Sequence, residues 1–333
     1  MSVKGIGRRF SIGIAKEVTR GTAISSANHW LPFSDASLDE KFENVTQDEA
    51  FGIIEDSVGQ FRTKNWAEGT LKVPLTDLSL PLILYSMFGA SADTTHSGES
   101  IVYDHKATVA ESAQHQSLTL FIHDPLAGVD YSHALGVIHK MDLDVELKKF
   151  AELSLSVKAL KGVSQSSFSP SIASENRFLP QYMTFKYATS VSGLSGATAI
   201  PLKSCKLSIN ANIEDDDVLG SIAPIDYLNK EFAVTGTLEA IWQNESDFKT
   251  VALASPNVPQ AMLIDLKNSD VTIGSAANPE VKITLDQVYF TEISRPIKIK
   301  NLVYQSIKWK GTYSTANSEM ISITTTNTAA TSA

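Results

Sequence analysis

The residues of this sequence best equipped for chemistry are an acidic run, Glu214-Asp215-Asp216-Asp217, a group of histidines and a single cysteine. Carboxylates are the hard oxygen donors that calcium takes, but an EF-hand alternates its ligands and closes with a glutamate. The four acids here are contiguous and lack that closure, so a solvated loop is the plainer reading. All seven histidines precede residue 140, and His105, His115, His123, His133 and His139 fall within 35 residues. Imidazole binds metals and titrates near neutrality. The gaps are irregular, however, and no acid or thiol recurs at a fixed offset, so strand-face or loop histidines are expected instead. Cys205 lies on the apolar side of an alternating segment, where a thiol is an inert core residue rather than a nucleophile.

No catalytic motif supplements these groups: there is no G-x-S-x-G elbow, P-loop, H-E-x-x-H or paired C-x-x-C. No metal and no cofactor are expected, and the protein is read as non-enzymatic, with scattered catalytic residues as the remaining alternative. The triplets Asn44-Val45-Thr46 and Asn244-Glu245-Ser246 match glycosylation acceptors, but no secretory signal accompanies them. Lys plus Arg number 28 against 37 for Asp plus Glu, a net charge of −9, which argues against a general nucleic-acid footprint. Trp66, Trp242 and Trp309 lie in or beside alternating strands and are expected in core or interface rather than as base-stacking platforms. One cysteine cannot form an internal disulfide, so the fold rests on packing. The start, with Arg8, Arg9, Lys16 and Arg20, would suit a transit peptide; a flexible arm is the plainer expectation. No apolar window is long enough for a membrane helix.

The elements that must position these groups are mostly strands. Cys205, Leu207, Ile209, Ala211 and Ile213 alternate with polar residues, as do Phe232, Val234, Gly236 and Leu238, and Leu153, Leu155, Val157 and Ala159. Period two with one apolar face predicts antiparallel strands. Self-comparison finds two copies. Gly69-Thr70-Leu71 recurs as Gly236-Thr237-Leu238, and SVKALKG from Ser156 recurs as SIKWKG from Ser306. The offsets, 167 and 150, differ by extra sequence in copy one, assigned to a surface loop at residues 91–116. A Ser-rich stretch, residues 163–176, reads as the linker, giving domains 1–165 and 166–333. Each copy carries one short helix. In the first, SLPLILYSMFG, Ser79 is placed to cap, Pro81 suits the first turn and Gly89 the stop. In the second, Asn244 or Ser246 is the cap and Phe248, Val251 and Leu253 the apolar side. Each copy also has a long inter-strand connection, residues 43–60 and 212–229, of a length that usually has a job.

The stretches GIAKEVTRGTAISSANHWLPFSDASLDEKFE, NWAEGTL, ENRFLPQYMTFKYA, SINANIEDDDVLGSIAPIDYLNKEF, DVTIG and SIKWKGTYS together resemble the tail tube proteins of long-tailed bacteriophages, from about Gly13 to Thr325. The resemblance implies a mainly β fold, two tandem β-sandwich or barrel domains, whose strands join neighbours in a ring around a lumen. Single-domain members form six-membered rings, so a duplicated chain implies homotrimeric rings with pseudo-sixfold symmetry that stack into a tube. Partners implied are a tape-measure protein and terminator or baseplate proteins; DNA passes without specific binding, and no membrane is involved. The implied place is the virion tail, assembled in the host cytoplasm. The long connections are the candidates for reaching the next ring, through Glu43, Asp48, Glu49, Glu55, Asp56, Glu214, Asp215, Asp216, Asp217 and Asp226. Asp35, Asp39, Glu43, Glu68 and Glu239 are the candidates for facing the lumen. The competing reading is another virion or cell-surface β module, such as a decoration, baseplate or adhesion protein.

Overall fold

The protein is described by a computed structural model covering residues 5–125, 130–242, 248–297, 299 and 302–332. Its first half runs through β1 (Ser11–Lys16), β2 (His29–Leu31), β3 (Asp35–Gln47), β4 (Gly59–Pro74), α1 (Leu80–Phe88), β5 (Gly89–Thr95), β6 (Tyr103–Val109), β7 (Leu118–His123), β8 (Asp130–Glu146), β9 (Glu152–Ala159) and β10 (Val163–Gln165). The second half runs through β11 (Met183–Ala188), β12 (Leu202–Asn210), β13 (Ile213–Asp216), β14 (Asp226–Asn229), β15 (Ala233–Ile241), α2 (Lys249–Ala252), β16 (Gln260–Lys267), β17 (Glu280–Ser294), β18 (Tyr304–Thr312) and β19 (Ile321–Asn327). The fold is mainly β, as the alternation predicts.

Alternation becomes burial in the strands that carry it. Leu153, Leu155, Val157 and Ala159 of β9 are buried, and so are Cys205, Leu207 and Ile209 of β12, while the residues between them are not. The same local order of pairing occurs twice. β4 lies between β3 and β9, with Gly69 opposite Leu38 and Val157. β15 lies between β12 and β18, with Gly236 opposite Leu207 and Trp309. This pairing matches Val157 with Trp309, an offset of 152 instead of the 150 read from the SVKALKG motif. A two-residue slip leaves every side chain on its own face, so the pattern alone does not distinguish the two.

The recurring glycine has a steric reason. A Cβ on Gly69 would lie 1.9 Å from the Ser37 carbonyl oxygen, and one on Gly236 would lie 2.3 Å from the Trp309 ring and 2.4 Å from the Lys206 carbonyl oxygen. Two long strands share a second irregularity. β8 pairs with β9 across a bulge between Ile138 and Lys140, and β17 pairs with β18 across a bulge between Phe290 and Glu292. Each long strand belongs to two layers: its first part joins β7 or β16, and its last part joins β9 or β18.

The halves are not separate bodies. β12 pairs with the end of β8, from Asn210 opposite Lys140 to Ser204 opposite Glu146, which makes one sheet in the order β3-β4-β9-β8-β12-β15-β18-β17. Residues 91–116, expected as a loop, instead contain most of the β5–β6 hairpin, and β6 pairs with β19 of the second half. A single apolar cluster runs from Ile12 through Leu155, Leu207 and Leu238 to Ile323.

The first helix forms as predicted, with Pro81 in its first turn and Gly89 ending it at φ 83°. Ser79 makes no capping bond; its hydroxyl meets Thr76 and Glu175, and Glu175 also accepts the Ser79 N–H at 3.1 Å. A carboxylate at a helix N-terminus satisfies the same need. The second helix is only four residues long, so two of its three expected apolar residues flank it: Phe248, at its N-terminal end, is buried, and Leu253, at its C-terminal end, is exposed. Asn244 and Ser246 lie outside the described residues. The expected linker is tied down at both ends: β10 pairs with β8, Phe168 stacks edge-on against Phe121 at 5.1 Å, and Asn176 bonds to Asp77. Nor is Arg20 part of a loose arm, since it reaches Asp226.

Candidate assembly surfaces

The sheet from β3 to β17 buries one face and leaves the other polar. Along β3 the polar face carries Asp35, Ser37, Asp39, Lys41 and Glu43, opposite Lys72, Thr70, Glu68, Trp66 and Lys64 of β4. It continues through Lys158, Lys140, Asp142 and Asp144, then Lys206, Glu239 and Lys308. The predicted lumen candidates Asp35, Asp39, Glu43, Glu68 and Glu239 therefore share a surface. The surface is of mixed charge although the chain carries a net charge of −9, because cations are interleaved with the acids. Lys140 lies 2.8 Å from Asp142, Lys206 2.9 Å from Asp144, Lys308 2.8 Å from Glu292 and Lys72 3.6 Å from Asp35. Three of these pairs join neighbouring strands, where opposite charges attract, and the Lys140–Asp142 pair lies along one face of β8.

The two long connections are hairpins. In the first, β3 and β4 simply continue beyond the sheet, across a bulge beside Glu43, to a tip at residues 48–58. This ribbon exposes Phe42, Val45, Phe51, Ile53, Ile54, Val58 and Phe61 along with Asp48, Glu49, Glu55 and Asp56. So many exposed large apolar side chains on one projecting element mark an interaction surface.

The second connection breaks from its strand at Asn212, whose φ of 43° turns the chain, and forms the β13–β14 pair. Its acids are held within the chain. Asp215 meets Lys64 and Lys158, both at 2.8 Å, and Asp217 meets Lys64 at 2.6 Å. The Asn65 N–H donates to the Ile222 carbonyl at 2.7 Å, laying the tip against β4. Burial alone would raise the Asp215 pKa, but the hydrogen bonds from Lys158 and Lys64 outweigh it and hold the carboxyl below its ordinary value. Burial opposes the Lys64 charge too, yet its bonds to Asp215 and Asp217 hold its pKa high. Asp226 is buried beneath Arg20 and Gln114, which tie it to the first half. Glu214 stays exposed beside Lys230, Asp216 is half-buried opposite Asp226, and Val218, Leu219, Ile222 and Ile225 add exposed apolar surface at the tip. These exposed apolar tips are not among the residues expected from the sequence; their signal there is FGII and VLGSIAPI, beside the acids.

The histidines do not converge. His105 is buried, with Nδ1 2.7 Å from Asp93 and Nε2 3.0 Å from Asn327, so it clasps the β5–β6 hairpin to β19. His115 meets the carbonyls of Met87 and Ala110, His123 meets Asp130, and His133 meets the Leu160 carbonyl. Burial lowers the pKa of His133, and of His139 at the β8 bulge. The clasp is reinforced by Glu99, which accepts the N–H groups of Ser275, Ala276 and Ala277. Cys205 is fully buried and its thiol is pushed up to about 12 by burial, which removes the thiolate that nucleophilic chemistry needs. Among the described residues no three or more His, Cys, Asp or Glu side chains are grouped to hold a metal ion, and no helix is long and apolar enough to cross a membrane.

The phage tail tube protein family matches residues 7–330, and the chain belongs to that family. No curated protein matches it. The protein is accordingly a structural component of a phage tail, located in the virion.

Proposed function

We propose that the chain is a tandem pair of tube-wall modules, residues 1–165 and 166–333, and that three chains form a pseudo-sixfold ring whose stacked copies make the tail tube. The polar face of the β3-to-β17 sheet lines the lumen, and the apolar ribbon at residues 43–60 reaches the next ring. The observation that supports this reading is the β8–β12 pairing, which joins the strands of the two halves into one continuous sheet. Tethering makes half of the ring joints intramolecular and avoids part of the association cost of about 4–15 kcal/mol at each.

DNA binding draws affinity from cations that replace counterions along the phosphates. Lys72, Lys140, Lys206 and Lys308 are each ion-paired to a carboxylate on the same face. Such a lining offers a passing duplex little to hold, which suits a conduit for ejection into the host. Assembly around a tape-measure protein in the host cytoplasm, with terminator or baseplate proteins at the ends and no catalysis, completes the reading. Electron microscopy of the purified protein at rising concentration tests it: rings and hollow tubes are expected, whereas persistent monomers would favour a decoration, baseplate or adhesion module.

A further inference from the structure

The seam inside the chain carries information about the seam between chains. β12 meets β8 along a strand edge, and the counterparts of these two strands are β3 and β17. Gly69 and Gly236 match Leu38 with Leu207, an offset of 169, and the shared bulge matches Ile138 with Phe290, an offset of 152. Both counterparts have an open edge. β3 pairs only with β4, and β17 beyond Val288 pairs only with β18, among the described residues. An unpaired edge of this length is a template for another strand.

We propose that β17 of one chain pairs antiparallel with β3 of a second copy in the register that β8 and β12 adopt within the chain. This rests on the tube reading and names the seam that reading needs. Within the chain Lys140 is opposite Asn210, Met141 opposite Ile209 and Asp142 opposite Ser208. Transposed by the two offsets, these become Glu292 opposite Lys41, Ile293 opposite Glu40 and Ser294 opposite Asp39. Two of the three transposed pairs are chemically matched; in the third, Ile293 is opposite Glu40, whose carboxylate lies 3.9 Å from Lys161 within its own chain. Glu292 meets a lysine, Ser294 offers its hydroxyl to a carboxylate, and both pairs lie on the polar face. On the other face Ile293 falls diagonally between Leu38 and Phe42, within reach of both. Phe42 is 55% exposed in the lone chain, and Ile293 is partly buried at the margin of the core. A register shifted by one residue would place Glu292 on the face opposite Lys41 and lose the match.

Cysteine cross-linking tests the register. Directly opposed residues of an antiparallel pair have Cα atoms about 4.5–5.5 Å apart, inside disulfide range. Within one chain, six strands separate β3 from β17, roughly 34 Å at the usual spacing, so any bridge must join two chains. The native Cys205 is buried and does not compete. The variant K41C/E292C, assembled and mildly oxidised, is expected to run as covalent dimers and trimers without reductant, while K41C/S294C, a diagonal pair, cross-links weakly. Tubes in the microscope with no cross-link, or with the diagonal pair cross-linking better, would overturn the register and leave the tube reading standing. Absence of rings and tubes in the wild-type protein would overturn both. A charge reversal gives an independent readout: K41E alone is expected to weaken assembly and K41E/E292K to restore it, and failure of the second change to restore assembly counts against the pairing.

Discussion

The two ribbons occupy matching places in the two halves and are built in opposite ways. The first continues its parent strands and ends in exposed apolar side chains at residues 48–58. The second leaves its strand at Asn212 and is pinned to the first half through Asp215, Asp217, Ile222 and Asp226. Acidic residues thus have different work in the two places: in the second ribbon they are internal anchors, and in the first they accompany an apolar surface left uncovered. The difference suggests that the first ribbon reaches outward while the second braces its base, since it lies directly against Lys64 and Asn65 of β4.

The strongest way to break this comparison is to remove the outward ribbon tip. Replacing residues 48–58 by Asn-Gly closes Gln47 and Gly59 with a two-residue turn of the kind hairpins favour. Loss of stacked tubes with unchanged circular dichroism and thermal melting is expected; long tubes from this variant would show that the tip does not join rings. The next test concerns what the ribbons have in common, the glycine on the strand that returns from each. Gly69→Ala and Gly236→Ala are each expected to cost about 3 kcal/mol by urea unfolding, since the new methyl meets backbone or the Trp309 ring. A cost confined to one half would end the equivalence of the two positions.

A smaller effect is expected at the brace. Asp215→Asn removes the charge shared by Lys64 and Lys158 and should cost about 1–2 kcal/mol in the same assay. Asp48→Asn, on the exposed first ribbon, should be neutral within about 0.5 kcal/mol. Acidification gives the smallest and most graded effect. The Asp215 carboxyl is depressed in the folded state, so the unfolded chain binds its proton first. Its contribution is present above the ordinary value of 3.8 and is lost as pH falls below it. Wild-type protein should therefore lose more stability than D215N between about pH 5 and pH 3 by urea unfolding. His133 and His139, neutral and lowered by burial, add a loss in both proteins as pH falls below 6.5, for the unfolded chain takes up those protons more readily.

Much of this molecule is legible one strand at a time. The alternation at Cys205 to Ile209 and Leu153 to Ala159 determined strands and their buried faces, because side chains on a pleated strand repeat every two residues whatever the strand later meets. The recurring Gly-Thr-Leu marked equivalent strands, and Pro81 with Gly89 marked the first helix, since these residues constrain their own backbone. Partners in space carry no such local mark. Nothing in SADTTHSGES or YDHKATV announces that β6 completes a sheet with β19, or that His105 will close on Asn327 more than two hundred residues away. Only the tertiary structure decided that Asp215 and Asp226 face inward while the apolar tip of the first ribbon faces out, for a carboxylate is as soluble as it is pairable until a lysine or arginine is folded against it.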